Sequence, residues 1–138
     1  MAEVALKVPG ALVPCMRETV LMQYRAAVEA LHLAFGVPGG PGASPEDVRR
    51  GRARLRQLDA LLDQLGWPGA AAPQAVEVAG PSQVLRDALH GSLIDAGERL
   101  AVACESSWRG EASAESVRSA VGEVIALDRL LRQVDPRR

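Results

Sequence analysis

The amphipathic pattern around which we expect the chain to be arranged covers residues 18–35, ETVLMQYRAAVEALHLAF. At about 100° per residue, large side chains three and four apart fall on one helix face. These are Leu21, Tyr24, Val28, Leu31 and Phe35. The opposite face is also apolar and consists of Met22, Ala26, Ala30 and Leu33. Because both faces need cover in water, the pattern predicts that the domain is built around this helix.

Three further segments have helical periodicity, and their ends carry capping signals. Ser44 and Pro45 suit the start of a second helix over 45–65, which Gly66 would end. A third helix is predicted over 81–108, with Ser82 or Gly80 near its cap, and a fourth over 114–134 after Ser113. With the first helix over 14–35, these segments predict a mainly α fold, an up-and-down four-helix bundle.

Two short segments alternate apolar and polar residues in the way a half-buried strand does. They are residues 3–8 and 75–78, and we expect them to pair as a small two-stranded β ribbon at one end of the bundle. Residues 1–138 form a single helical domain in this interpretation. Its irregular parts are a flexible linker at 36–43, a long connection at 66–80 and a frayed C-terminus at 135–138.

Several side chains carry more specific expectations. Val121 and Ile125 widen the apolar stripe of the fourth helix, which predicts that two neighbours cover it. Cys104 lies at the edge of the third helix's stripe and is expected to be a small core residue. A Trp-x-Gly pattern recurs 41 residues apart, at Trp67 and Trp108, but the residues before each do not align. We interpret it as helix-end chemistry and expect no internal repeat.

Composition narrows the function classes. The 138 residues are 48% hydrophobic and carry a net charge of −1, without the basic excess typical of nucleic-acid binding. Residues 1–16 lack the apolar run of a signal peptide, and charges interrupt the longest helix, so no membrane contact is expected. The two cysteines, Cys15 and Cys104, are far apart and indicate a reduced, cytoplasmic protein.

The sharpest candidate chemistry is the Glu-x-x-His spacing of Glu29 and His32, echoed by Asp87 and His90. In di-iron bundles this spacing directs both ligands inward, but here both pairs lie on the flanks of their apolar stripes. We therefore expect a solvated strip in which Arg25 pairs with Glu29, with no metal and no cofactor. Ligand binding by Arg25, Glu29 and His32 is a weaker alternative.

The remaining motifs favour no enzyme. Five arginines between Arg49 and Arg56 point in several directions, which is typical of an exposed face with many salt bridges. The Gly-rich segment 36–43 lacks the Lys-Ser/Thr of a phosphate-binding loop, and Ser92 and Ser106 stand in helical context. No nucleophile, base and orienting group can be assembled by spacing, so no catalytic residue is predicted.

Trp108, Arg109 and Gly110, at the turn between the third and fourth helices, carry one family resemblance. The tripeptide resembles the Trp-x-Gly turn of small secreted helical-hairpin proteins, and the likeness covers residues 85–134. The resemblance implies export and pairing with a helical partner. The chain departs from that family in its two additional helices and in having no tyrosine after the last helix.

The expected function is a non-enzymatic helical interaction or regulatory module. Its candidate interface is the back of the first helix, and the partner is a second copy in a dimer or another helical protein. A ligand-binding or metal-binding bundle and a secreted Trp-x-Gly hairpin protein are the alternatives.

Overall fold

The computed structural model describes residues 3–35, 44–135 and 137. The fold is mainly α, with four helices and a two-stranded antiparallel ribbon, as predicted. The elements in chain order are β1 (Glu3–Pro9), a 3₁₀ turn (Gly10–Leu12), α1 (Val13–Ala34), α2 (Pro45–Leu65), β2 (Ala75–Pro81), α3 (Ser82–Trp108) and α4 (Ala114–Val134). The predicted linker 36–43 lies outside the described residues, as do positions 136 and 138 of the predicted frayed terminus.

Local sequence signals set most of the helix boundaries. The Ser44 hydroxyl accepts a hydrogen bond from the Asp47 backbone N–H at 3.2 Å, and the Ser113 hydroxyl does the same for Ser116. Gly66 ends α2 with a φ of 90°, a conformation that side chains disfavour. The expected cap of α3 is wrong, because β2 runs directly into α3 and Pro81 occupies the cap position without a side-chain hydrogen bond.

The ribbon register is symmetric about its central pair, Leu6 and Val78. Glu3 pairs with Pro81 and Pro9 pairs with Ala75, so each strand meets the other in the same way. Adding 72 to a residue number in β1 therefore gives the equivalent residue in β2. The element order strand–helix–helix occurs twice, in residues 3–65 and 75–134, which we call the two halves, and an approximate two-fold axis through the Leu6–Val78 pair exchanges the two strands.

The helices follow the same relation, which corrects the expectation that the chain has no repeat. Equivalent residues of α1 and α3, which are 72 positions apart, are both buried in several cases. Val13 and Leu85 form one such pair, and Met16 and Ala88 form another. Both α2 and α4 contain 21 residues, and 8 of these positions are identical at a separation of 69 residues. The identical residues of α2 are Glu46, Val48, Arg49, Leu58, Asp59, Leu61, Leu62 and Gln64.

The hydrophobic core lies where the two halves meet, under the inner face of the ribbon. It is formed by the start of α1 and α3 and the end of α2 and α4. Its buried hydrophobic members are Leu6, Val8, Leu12, Val13, Met16, Val20, Leu58, Leu61, Leu62, Leu65, Val78, Val84, Leu85, Ala88, Leu89, Ala96, Leu127, Leu130, Leu131 and Val134.

Each pair of helices also extends beyond this core as a two-helix hairpin. We call residues 21–35 with 44–57 the first arm and residues 97–126 the second arm. None of these described residues is buried. The domain is therefore not built around residues 18–35 as expected, because burial in α1 ends at Val20, and Leu21, Tyr24 and Ala27 beyond it are partly buried against the core. α1 meets α3 from Cys15 to Gln23, where Gln23 donates a hydrogen bond to the Asp87 carbonyl oxygen at 3.1 Å, and its later residues lie beside α2.

The connection between the halves is held by a buried arginine. Arg17 donates hydrogen bonds to the carbonyl oxygens of Leu65 at 2.7 Å, Ala70 at 2.8 Å and Ala71 at 3.4 Å. Gly10 adds a backbone hydrogen bond to Gln74 at 2.7 Å. The carbonyls at the end of α2 and along the connection are thus satisfied by α1, which fixes where β2 begins.

Candidate interaction surface

The predicted interface residues Met22, Ala26, Ala30 and Leu33 lie together on the solvent side of the first arm, and we call them the α1 patch. Met22 is 70% exposed and Leu33 is 75% exposed, and both alanines are exposed. Single exposed apolar residues are ordinary on a protein surface. Four in line on one helix face form a continuous apolar surface, which is the feature that marks interaction sites.

The opposite face of α1 is occupied by α2. Leu31 lies against Gly51, where a Cβ atom would stand 3.2 Å from the Leu31 Cδ1 atom, so the two helices are close there. Tyr24 contacts the Trp67 ring edge-on, with ring centroids 6.0 Å apart. The guanidinium of Arg52 stands 5.8 Å from the centre of the Phe35 ring. These contacts pack the Tyr24 and Leu31 side of α1 against α2 and Trp67, and they leave Met22 and Leu33 in solvent.

A shallow groove runs between α1 and α2 beside the patch, with a volume of about 310 Å³. Small residues form most of its floor, namely Ala26, Ala27, Ala30 and Gly51. Small side chains allow another helix to approach closely, because interhelical distance depends on the side chains at the contact. The first arm therefore offers a flat, small-residue surface rather than a deep ligand cavity.

The strip of Arg25, Glu29 and His32 lies beside the patch and is exposed. Arg25 and Glu29 form the predicted ion pair, with the Arg25 Nε atom 3.3 Å from the Glu29 Oε1 atom. The His32 side chain is in the last turn of α1. Over the described ranges, no cluster of three or more His, Cys, Asp or Glu residues has a geometry that could hold a metal ion.

The positions equivalent to the α1 patch lie on α3 in the second half, where they hold different residues. At a separation of 72 residues, Met22 and Ala30 correspond to Ile94 and Val102, which are also exposed. Ala26 and Leu33 correspond to Glu98 and Glu105. The same helix face is therefore fully apolar in α1 and interrupted by two carboxylates in α3.

Two expectations about burial in the second arm are wrong, one for α4 and one for α3. Val121 and Ile125, predicted to be covered by two helices, are both exposed on the second arm. Cys104 is also exposed rather than in the core. The sequence repeat between α2 and α4 is the signal that could have predicted the exposure of these two residues. Aligned with α2, Val121 and Ile125 correspond to Arg52 and Arg56, which stand at solvent-facing positions.

Polar contacts join α1, α3 and α4 where the halves meet. The Arg99 Nη2 atom lies 3.1 Å from the Cys15 Sγ atom and also pairs with Glu123. Burial raises the pKa of the Cys15 thiol, and the nearby Arg99 guanidinium opposes the shift only in part. The thiol therefore stays protonated at neutral pH, whereas a nucleophilic cysteine needs a depressed pKa.

The equivalent pair, which joins α2 to α3, is also polar. Cys15 and Glu123 correspond to Asp87 and Arg54, which form an ion pair at 3.9 Å. Elsewhere on α2, Arg49 and Arg50 both pair with Glu46, at 3.1 and 3.4 Å. The prediction of salt bridges along this arginine-rich helix is confirmed for these pairs.

The Trp-x-Gly turn joins α3 to α4, as the sequence indicated. Trp108 ends α3 and is 92% exposed, and Gly110 has a φ of 76°. Comparisons with protein-family models, with curated proteins and with solved structures find no match for the chain, so the resemblance to secreted hairpin proteins rests on this turn alone. No helix in the described part of the chain is long and apolar enough to cross a membrane.

Proposed function

We propose that the protein is a non-enzymatic helical interaction module that self-associates through the α1 patch. The observation that carries the proposal is the exposure of Met22 and Leu33, at 70% and 75%, on a helix whose other face already contacts α2. A partner helix laid on this face would give the first arm the second packing layer that it lacks within one chain.

The two arms of the molecule support this assignment. Two helices without a further layer bury little apolar surface, and helix stability in proteins comes mostly from packing of the apolar face. Two first arms brought together form four packed helices, a common stable arrangement. On α3, by contrast, Glu98 and Glu105 interrupt the equivalent face, as expected for a surface that stays in water.

The two free thiols support a reducing compartment for this module. Both Cys15 and Cys104 are unpaired cysteines, and thiols persist where glutathione and thioredoxin keep them reduced. We therefore place the proposed module in the cytoplasm.

Sedimentation velocity of the wild-type chain and of Leu33→Asp tests the proposal. We expect a concentration-dependent dimer for the wild type and a single chain for the variant, because a buried unpaired carboxylate is costly. Val102→Asp is the matched control, since Val102 is an aliphatic residue on the other arm whose exposed fraction, 63%, is close to that of Leu33. A wild-type protein that sediments as one chain at all concentrations would contradict the proposal.

A further inference from the structure

We infer that two copies of the chain pair through antiparallel α1 helices, with Arg25 of one protomer facing the partner's Glu29. This inference rests on the proposed self-association and adds the direction of the two helices and the contacts between them. It follows from the spacing of the α1 patch and from the charges beside it.

The residues of the patch are arranged almost symmetrically along α1. Met22 and Leu33 stand at its two ends, and Ala26 and Ala30 stand between them. When two such helices run antiparallel about a two-fold axis near residues 27 and 28, Met22 lies opposite the partner's Leu33. Ala26 then lies opposite the partner's Ala30. The small residues at the centre allow close approach, and the large residues cover the two ends.

The charges select the antiparallel direction. Arg25 and Glu29 lie on either side of this axis, and their midpoint, residue 27, is within one residue of the midpoints of the two apolar pairs. An antiparallel pair brings Arg25 to the partner's Glu29 twice, once on each side of the axis. A parallel two-fold pair would instead place the two strips on opposite sides of the interface, so Arg25 and Glu29 of one chain would not meet those of the other and their charges would add nothing to association.

Arg25 and Glu29 are free to exchange partners. Within one chain they pair at 3.3 Å, with 82% and 65% of their side chains exposed. An ion pair this exposed contributes little to stability, so giving it up costs little. Both side chains are long and flexible and lie at the border of the patch, where a polar rim is expected to surround an apolar interface.

Complementary charge variants in the full-length chain test the inference. Arg25→Glu makes both positions acidic, and Glu29→Arg makes both positions basic. We expect each variant alone to self-associate about tenfold more weakly than the wild type in low salt. An equimolar mixture of the two should recover a dimer of wild-type affinity in sedimentation equilibrium, because every cross-chain contact then joins opposite charges. The double variant Arg25→Glu/Glu29→Arg should also dimerise normally.

The control exchanges an ion pair away from the patch. Glu46→Arg and Arg49→Glu alter the exposed pair on α2 and should leave dimerisation unchanged, alone and mixed. A mixture of the α1 variants that associates no better than either alone would overturn the antiparallel pairing. If Leu33→Asp still abolishes the dimer in that case, self-association through the patch stands. A wild-type chain that never dimerises would overturn both.

Discussion

The first half of the chain, residues 3–65, and the second half, residues 75–134, share their buried positions and differ in what they show to solvent. At the end of α2 and α4, the four buried positions hold Leu in all but one case, Val134. The ribbon register is the same from either strand. The shared positions are those that meet at the approximate two-fold axis, where each side chain must fit the other half.

The two arms differ in which of their helices carry exposed apolar residues and which carry exposed charges. In the first arm, α1 has the apolar outer face and α2 carries the arginines. In the second arm, α4 exposes Val121 and Ile125 where α2 has Arg52 and Arg56, while α3 has carboxylates. In the first arm the exposed large hydrophobic residues lie on α1 and at its end, whereas in the second arm they lie on both α3 and α4. This divergence argues that the two arms meet different surroundings, and that only the first presents an uninterrupted apolar stripe on its opening helix.

The largest divergence inside the core is Arg17, whose equivalent is Leu89. The first half is followed by the connection to the second half, and Arg17 binds three carbonyl oxygens at the end of α2 and along that connection. The buried arginine therefore ties the end of its own half, at Leu65, to the connection between the halves, at Ala70 and Ala71.

The equivalence of the two halves is tested most strongly by truncating one core residue in each. Leu62 and Leu131 occupy equivalent positions and are both fully buried. We expect Leu62→Ala and Leu131→Ala each to lower the free energy of unfolding by about 2–5 kcal/mol, through lost apolar burial and the cavity left behind. Urea denaturation followed by far-UV circular dichroism measures both, with Val102→Ala as an exposed control expected to change stability by less than about 0.5 kcal/mol.

The shape of the unfolding curve sharpens this prediction. Because the core residues of both halves pack in one cluster, both variants should unfold in a single transition. A variant that melts one half and leaves the other folded would show that the halves are independent, and a large difference between the two costs would show that they are not equivalent.

Arg17→Leu tests the claimed difference between the halves, because it makes the first half resemble the second. We expect a loss of about 2–3 kcal/mol, since buried carbonyl oxygens lose charged donors. The connection at 66–74 should also become more sensitive to a protease of broad specificity. Arg50→Leu, an exposed arginine on α2, is the control and should change neither measurement. Equal stability of Arg17→Leu and the wild type would mean that the connection does not need this anchor.

The helices and ribbon could be predicted from the sequence because their signals are local. Ser44, Ser113 and Gly66 mark helix ends through contacts within a few residues, and alternation marks the strands. The bounds of α2 and α4 agree with the prediction at both ends, and those of α1 and α3 agree within one residue. Local chemistry was sufficient for these elements.

The position of the core along the helices could not be predicted in the same way. Periodicity shows which face of a helix is apolar, but it does not show how far along the helix a neighbour extends. Residues 18–35 have large apolar side chains on one face along their whole length, yet burial in α1 ends at Val20. Arg17 was missed for a related reason, since its nearest acceptor in sequence is Leu65, 48 residues away. The repeat between α2 and α4 contained the missing information, because shared leucines mark one end of both helices as the buried end.

The smallest expected effect concerns two glycines of α3 that differ in their surroundings. A Cβ atom on Gly91 would stand 2.8 Å from the Thr19 Cγ2 atom on α1, whereas nothing lies within 4 Å of a Cβ atom on Gly97. We expect Gly97→Ala to raise stability by about 0.5–1 kcal/mol through helix propensity. Gly91→Ala should instead lower the stability by about 1–2 kcal/mol, because the cost of overpacking at the crossing of α1 and α3 exceeds the gain in helix propensity. Thermal unfolding of both variants gives the comparison, and Gly91→Ala combined with Thr19→Ser should recover part of the loss. If the two alanines stabilise the protein equally, the halves do not touch as closely at this crossing as the structure shows.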